Sequence, residues 1–353
     1  MESFIIAILS TYLAATNNLA LLIEGLVLPE EENQTVELAG SDTYTIFPEW
    51  FVSATSLSDL TEDNDSQVAS VIGAVDLEPI VWTDAVVNIY CQYFTPGQVR
   101  SMTGTGFFVS SDGAILTNAH IAQFLLLEYL DKGKTRCFVG TGDVSEATYE
   151  VSLLYISPTW ILANSELIAT TAPSGNGASD FAILYAVSGI GEAELPDQFS
   201  YLAVDTNLLK RDVTADTVHI AGYPASTGSA DDLSGAIKNT ATTTIAKLYT
   251  LGTNYADILA LLGSPLGERG VSGGPVVNEA GQAIGIISTL GDDIVQGEGS
   301  LNAISISYIN RAITKETGYN LITNINGDLD ARAQIFETTL VPWLARELGE
   351  ALE

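Results

Sequence analysis

Glu268-Arg-Gly-Val-Ser-Gly-Gly-Pro-Val-Val-Asn278 sets one serine, Ser272, among three glycines and a proline, between a Gly-rich turn and an apolar run. Gly270 and Gly273 carry no Cβ, so the chain there can enter conformations closed to other residues, and another group can approach the backbone closely. Such a turn can aim the amide N–H groups of Gly270 and Ser272 at one point, where the negative charge of a tetrahedral intermediate would develop. A Ser-Gly-Gly-Pro turn joining two strands has the same composition. The stretch therefore reads as a nucleophile only if the chain also supplies a base and a carboxylate that orients it.

The chain holds two histidines. His120 ends Gly-Ala-Ile-Leu-Thr-Asn-Ala-His, just past a strand pattern and before an apolar helix, whereas His219 lies midway along the strand pattern Thr-Val-His-Ile-Ala-Gly. A base near neutral pH is most readily an imidazole, and His120 is the better placed of the two. His219 reads as a sheet histidine. Among many carboxylates Asp180 stands apart because it opens Asp-Phe-Ala-Ile-Leu-Tyr, a run that reads as a buried strand. A carboxylate at that threshold is partly desolvated and needs a partner, although a strand-capping aspartate would look the same.

Outward from these residues the texture is β-rich. Short segments at 85–94, 104–110, 113–117, 136–139, 148–156, 181–186, 218–221, 242–251, 282–289 and 300–307 are separated by turn formers, a spacing that predicts an antiparallel barrel or sandwich. Helical texture is expected at 121–131 and 308–317. In the tail, Ile335, Phe336, Leu340, Trp343, Leu344 and Leu348 recur at helical spacing and are expected to dock one face on the core.

Of 353 residues, 46% are apolar and 16% charged, which fits a globular chain with a core. The formal charge of −31, from 13 Lys+Arg against 44 Asp+Glu, argues against nucleic acid and against electrostatic attachment to anionic lipid. An acidic coat that keeps the protein soluble is the simpler reading. No Asp-x-Asp-x-Asp-Gly loop and no Cys-x-x-Cys pair is present, so neither metal nor cofactor is expected. Cys91 and Cys137 are compatible with one disulfide in an oxidising compartment or with two buried free thiols.

Residues 3–23 carry no charge and predict a signal h-region or a membrane tether, and so an extracytoplasmic protein; a buried amphipathic helix would show the same pattern. Glu2 in place of a basic flank and Asn17-Asn18 within the run count against export. Residues 28–80 have no Lys or Arg and read as an acidic linker or loosely packed arm.

Thr-Asn-Ala-His120, Asp180-Phe-Ala-Ile-Leu and Gly270-Val-Ser272-Gly-Gly-Pro, in the order His, Asp, Ser, resemble the three motif blocks of chymotrypsin-fold serine proteases. The texture is similar to the bacterial trypsin-like branch that includes the high-temperature-requirement proteases, over about residues 82 to 315. The resemblance implies an all-β core of two six-stranded antiparallel β-barrels with the triad in the cleft between them. It implies a protease domain at 81–315 with barrels at about 81–195 and 196–315, which leaves the apolar segment at 1–27, the arm at 28–80 and a helical extension at 316–353 outside it. It further implies a protein or peptide substrate attacked by Ser272, with His120 as base then acid, Asp180 orienting it, and the Gly270 and Ser272 amides as oxyanion hole. Ser288 matches the family serine that supports the aspartate and lines the substrate channel.

Three departures bear on mechanism. Val271 stands where digestive trypsins have an aspartate that pairs with a newly cut N-terminus, so activation by that cut is not expected. Leu266, six before the nucleophile, aligns with the base of the specificity pocket and predicts preference for small or medium apolar side chains over Lys or Arg. About 40 residues follow the second barrel, too few for the PDZ module of many high-temperature-requirement proteases. Cys91 and Cys137 would both belong to the first barrel, close enough to bond, although the family's usual pair brackets the histidine differently. The rival function is a catalytically inactive, protease-like binding module. An esterase on an α/β-hydrolase fold fails on the order of the triad, because its serine precedes acid and histidine.

Overall fold

The computed structural model describes residues 82–95, 98–131, 133–169, 177–209, 213–228, 235–251, 255–291 and 296–352. The expected apolar segment at 1–27 and acidic arm at 28–80 lie outside the described residues. Among those described, no helix is long and apolar enough to cross a membrane.

Twelve strands form two closed antiparallel barrels. The first comprises β1 (Val86–Thr95), β2 (Gln98–Phe108), β3 (Ala114–Thr117), β4 (Arg136–Thr141), β5 (Glu146–Ile156) and β6 (Ala182–Gly189), in the spatial order β1-β2-β3-β6-β5-β4. The second comprises β7 (Thr217–Gly222), β8 (Asn239–Tyr249), β9 (Ile258–Leu261), β10 (Pro275–Val277), β11 (Ala283–Leu290) and β12 (Leu301–Ser305), in the order β7-β8-β9-β12-β11-β10. Each barrel thus runs through its six strands in the same order, and the expected fold class, two six-stranded chymotrypsin-like barrels, is the one observed.

Closure leaves no free sheet edge and gives each barrel an interior to fill. Ile89, Phe107, Ile115, Leu116, Val139 and Leu184 are fully buried in the first barrel, and Ile220, Ile245, Leu259, Leu261, Val276 and Ile287 in the second. β3 and β9 are buried at every position, which is why neither sequence alternates; β9 is apolar throughout and β3 up to Thr117. Cys91 and Cys137 stand directly opposite each other across β1 and β4, with Cα atoms 4.1 Å apart, and are joined as a disulfide.

Six helices complete the described chain: α1 (Ala119–Leu130), α2 (Pro158–Asn164), α3 (Ile306–Thr317), α4 (Leu321–Asn324), α5 (Leu329–Thr339) and α6 (Val341–Glu350). The tail pattern covers two helices, not one, because Pro342 cannot donate a backbone hydrogen bond and a new helix starts beside it. Phe336, Leu340, Leu344 and Leu348 are buried in the same apolar cluster as the first barrel, while Ile335 and Trp343 are only partly covered.

Near the end of α3, Glu316 is driven into this junction. Its carboxyl group meets the Tyr155 hydroxyl and the Ser157 hydroxyl, the latter at 3.0 Å. Burial pushes its pKa from 4.5 up to about 8. In the unfolded chain the group ionises near the lower value, so between the two values the folded state holds the extra proton. Stability therefore falls as pH rises through that window, by up to about 1.4 kcal/mol per pH unit, and levels off above it. Glu316→Gln is expected to lack this slope. Urea unfolding of both proteins from pH 5 to 8 checks it, and parallel pH dependences would show that Glu316 is ionised in the folded state.

Candidate active site

β3 ends at Thr117, Asn118 takes an extended conformation as the residue that starts α1, and His120 falls in the first turn of that helix. Asp180 lies two residues before β6, with its side chain fully buried. Strand and helix starts thus bring the two groups to one end of the first barrel. The Asp180 carboxylate accepts three hydrogen bonds: from the His120 amide to Oδ1 at 2.9 Å, and from His120 Nδ1 and the Ser288 hydroxyl to Oδ2, each at 2.8 Å. A buried carboxylate is tolerated when its lone pairs are met in this way. The Asn118 side-chain amide donates to the Asp180 carbonyl at 2.9 Å, and the Gln123 side-chain amide to the His120 carbonyl at 2.8 Å, holding both backbones in place.

The second barrel supplies the serines. Ser288 sits on β11, and its carbonyl accepts the Ser272 hydroxyl at 3.3 Å. One residue therefore touches Asp180 through its side chain and Ser272 through its backbone. The turn that carries Ser272 needs its glycines. Gly273 has φ +86, and a Cβ there would lie 1.9 Å from the Thr105 carbonyl oxygen; Gly270 has φ +94, and a Cβ would lie 2.4 Å from the Tyr223 carbonyl oxygen. The Ala225 amide binds the Arg269 carbonyl at 2.8 Å, and the Gly274 amide binds that of Val271 at 3.0 Å. The Gly270 and Ser272 amides meet no partner among the described residues.

Sequence reasoning passed over Thr105, which it read only as part of a strand. From β2 its amide donates to the Ser272 carbonyl at 2.8 Å and its hydroxyl to the Gly270 carbonyl at 2.7 Å, while the hydroxyl also accepts the Tyr223 amide at 3.0 Å. The first barrel thereby pins the turn at 270–274 of the second. Tyr223 adds a tie in the other direction, its buried hydroxyl donating to the carbonyls of Gly142 at 2.7 Å and Val86 at 3.3 Å. A threonine between two glycines on a strand was the available signal.

Leu266 and Val271 are both buried in the apolar core of the second barrel. Val271 thus fills core space with no charge to pair. Leu266 likewise offers no charge, and with 2% exposure it presents little surface to a bound side chain. His219 sits apart, on β7, with Nδ1 3.1 Å from the Thr242 hydroxyl across the β7–β8 pairing. Among the described residues no group of three or more His, Cys, Asp or Glu is placed to hold a metal ion.

Two six-stranded barrels, with a His–Asp pair on one and a glycine-cradled serine on the other, define the chymotrypsin-like class. The trypsin-like peptidase domain family matches residues 104–286, just over half of the chain, and the chain belongs to that family. Similar solved structures include the Rv3671c protease from M. tuberculosis in its active form, at 21% identity and TM-score 0.43, covering 67% of this chain and 83% of that one. A serine-to-alanine mutant of that protease in an inactive form aligns at 19% identity and TM-score 0.42, covering 68% and 91% of the two chains. No curated protein matches the chain.

Proposed function

We propose that the protein is a serine endopeptidase that hydrolyses peptide bonds through an acyl-enzyme. The observation that carries this reading is the buried Asp180 carboxylate, bonded at once to His120 Nδ1 and to Ser288, whose carbonyl holds the Ser272 hydroxyl. The Asp180–Nδ1 bond leaves the other ring nitrogen, Nε2, free of its proton and able to act as base. Rotation of the Ser272 hydroxyl from the Ser288 carbonyl toward Nε2 starts the reaction. The proton passes to Nε2 as Oγ bonds to the substrate carbonyl carbon, and the imidazolium is stabilised by Asp180. The oxyanion is received by the Gly270 and Ser272 amides. His120 returns the proton to the leaving amine, and water, activated in the same way, releases the acid product.

The uncharged Val271 supports activity without a salt bridge from a new N-terminus. The Cys91–Cys137 disulfide supports an extracytoplasmic location.

A fluorophosphonate probe tests the reading. The folded chain is expected to take up one covalent phosphonyl group, located by peptide mass mapping at Ser272. A folded protein that takes up none would instead be a binding module that uses the cleft between the barrels.

A further inference from the structure

Ser179, the residue before Asp180, has φ +57. This is left-handed backbone, which serine seldom adopts and which persists only where surrounding structure imposes it. The local bonds are those of a tight turn, with the Phe181 amide donating to the Ser179 carbonyl at 2.9 Å and the Asp180 amide to that of Gly177 at 3.4 Å. The remaining polar contact comes from far along the chain. Tyr308, in the first turn of α3, accepts the Ser179 amide hydrogen on its phenol oxygen at 3.1 Å, and the two hydroxyls lie 3.5 Å apart. α3 is in turn fixed by its start, where the Ser305 side chain accepts the Tyr308 amide at 3.1 Å, and by the ion pair of Arg311 with the fully buried Asp257. The phenol is therefore held from the second barrel against the strained turn that aims the Asp180 carboxylate.

We infer that Tyr308 is a positioning residue for Asp180: its phenol oxygen fixes the left-handed Ser179 and so sets the direction of the triad carboxylate. The inference rests on the reading of Asp180 as the orienting acid. Without the hydroxyl, Ser179 relaxes toward ordinary backbone, the carboxylate turns, and the His120 imidazolium loses part of its support. Substrate contacts are untouched, so the loss falls on kcat and not on KM. Glycine occupies positive φ at no steric cost, so Ser179→Gly should compensate for the missing phenol oxygen.

In the full chain, Tyr308→Phe is expected to lower kcat on a peptide substrate about 10-fold with KM unchanged. The acid limb of the kcat/KM profile is expected to move with it, because the carboxylate no longer faces the imidazole ring squarely. Ser179→Gly added to Tyr308→Phe is expected to restore both quantities to within about threefold of wild type. The inference is overturned if Tyr308→Phe leaves the pH profile and kcat unchanged, or if the double variant is no better than the single one. If Tyr308→Phe does not fold, Ser179→Val carries the test alone. A β-branched side chain at positive φ is expected to lower kcat and shift the same limb, and wild-type values in a folded Ser179→Val protein would refute the inference. Every comparison is made against unlabelled wild-type protein from a preparation of which a separate aliquot takes up fluorophosphonate. Absence of wild-type labelling would count against the serine peptidase reading itself, independently of Tyr308.

Discussion

Ser272→Ala is expected to lower kcat for peptide hydrolysis by about 10⁴- to 10⁶-fold and to abolish fluorophosphonate labelling, in a protein that folds as before. The size follows from the proposed mechanism: loss of Oγ removes covalent catalysis, while the proposed oxyanion donors, being backbone amides, persist and leave a small residual rate. The fold is unaffected because the hydroxyl makes one long bond, 3.3 Å to the Ser288 carbonyl. The architectural contact of this residue is through its backbone, where the Thr105 amide binds its carbonyl. A stability change within about 0.5 kcal/mol is expected. Initial rates, probe labelling and thermal melting on one preparation check all three, and hydrolysis within tenfold of wild type would remove Ser272 from the mechanism.

Asp180→Asn is expected to cost about 10⁴ in kcat with KM little changed. The carboxylate accepts at both oxygens, and every group around it is a donor: the His120 amide, His120 Nδ1 and the Ser288 hydroxyl. An amide side chain keeps one acceptor and turns an NH₂ group toward at least one of these donors. If the NH₂ faces the ring, Nδ1 must accept, the proton moves to Nε2, and the base can no longer take a proton from Ser272. If it faces the His120 amide, two donors meet in a dry site, which costs about 1–3 kcal/mol of stability. Steady-state kinetics beside urea unfolding separate these outcomes. A rate within tenfold of wild type would mean that Asp180 does not set the tautomer.

The three blocks that make up the candidate site were legible because each is a local device: a serine among glycines, a histidine between strand and helix, an acid at the mouth of a buried strand. Ten of the twelve strands were legible for the same kind of reason, as short β-prone runs between turns. β9 was missed because Ile258-Leu-Ala-Leu, buried on both faces, has no alternation and, unlike β3 after Ser-Asp-Gly, no tight-turn sequence directly before it to mark it as a strand. β10 was missed because its three residues are hidden in the apolar run that follows the turn at 270–274. The short helix α2 did carry a signal, Ser157 as cap and Pro158 in the first turn, and it went unread. What no local pattern could give is contact across the chain. Thr105 binds a carbonyl 165 positions away, and Tyr308 an amide 129 positions away. Nothing in the neighbours of either residue announces its partner.

The split of the site between the barrels also fixes a timetable. Asp180 receives its Ser288 bond from a residue 108 positions later, and the turn at 270–274 is pinned by a strand completed long before it. A chain leaving the ribosome can close its first barrel, and pair His120 with Asp180, while it still has no nucleophile and no oxyanion donors. On the proposed mechanism, hydrolytic competence arrives only when the two barrels dock. If the site works as proposed, the half-made protein is harmless to itself and to its neighbours through the order of its own folding.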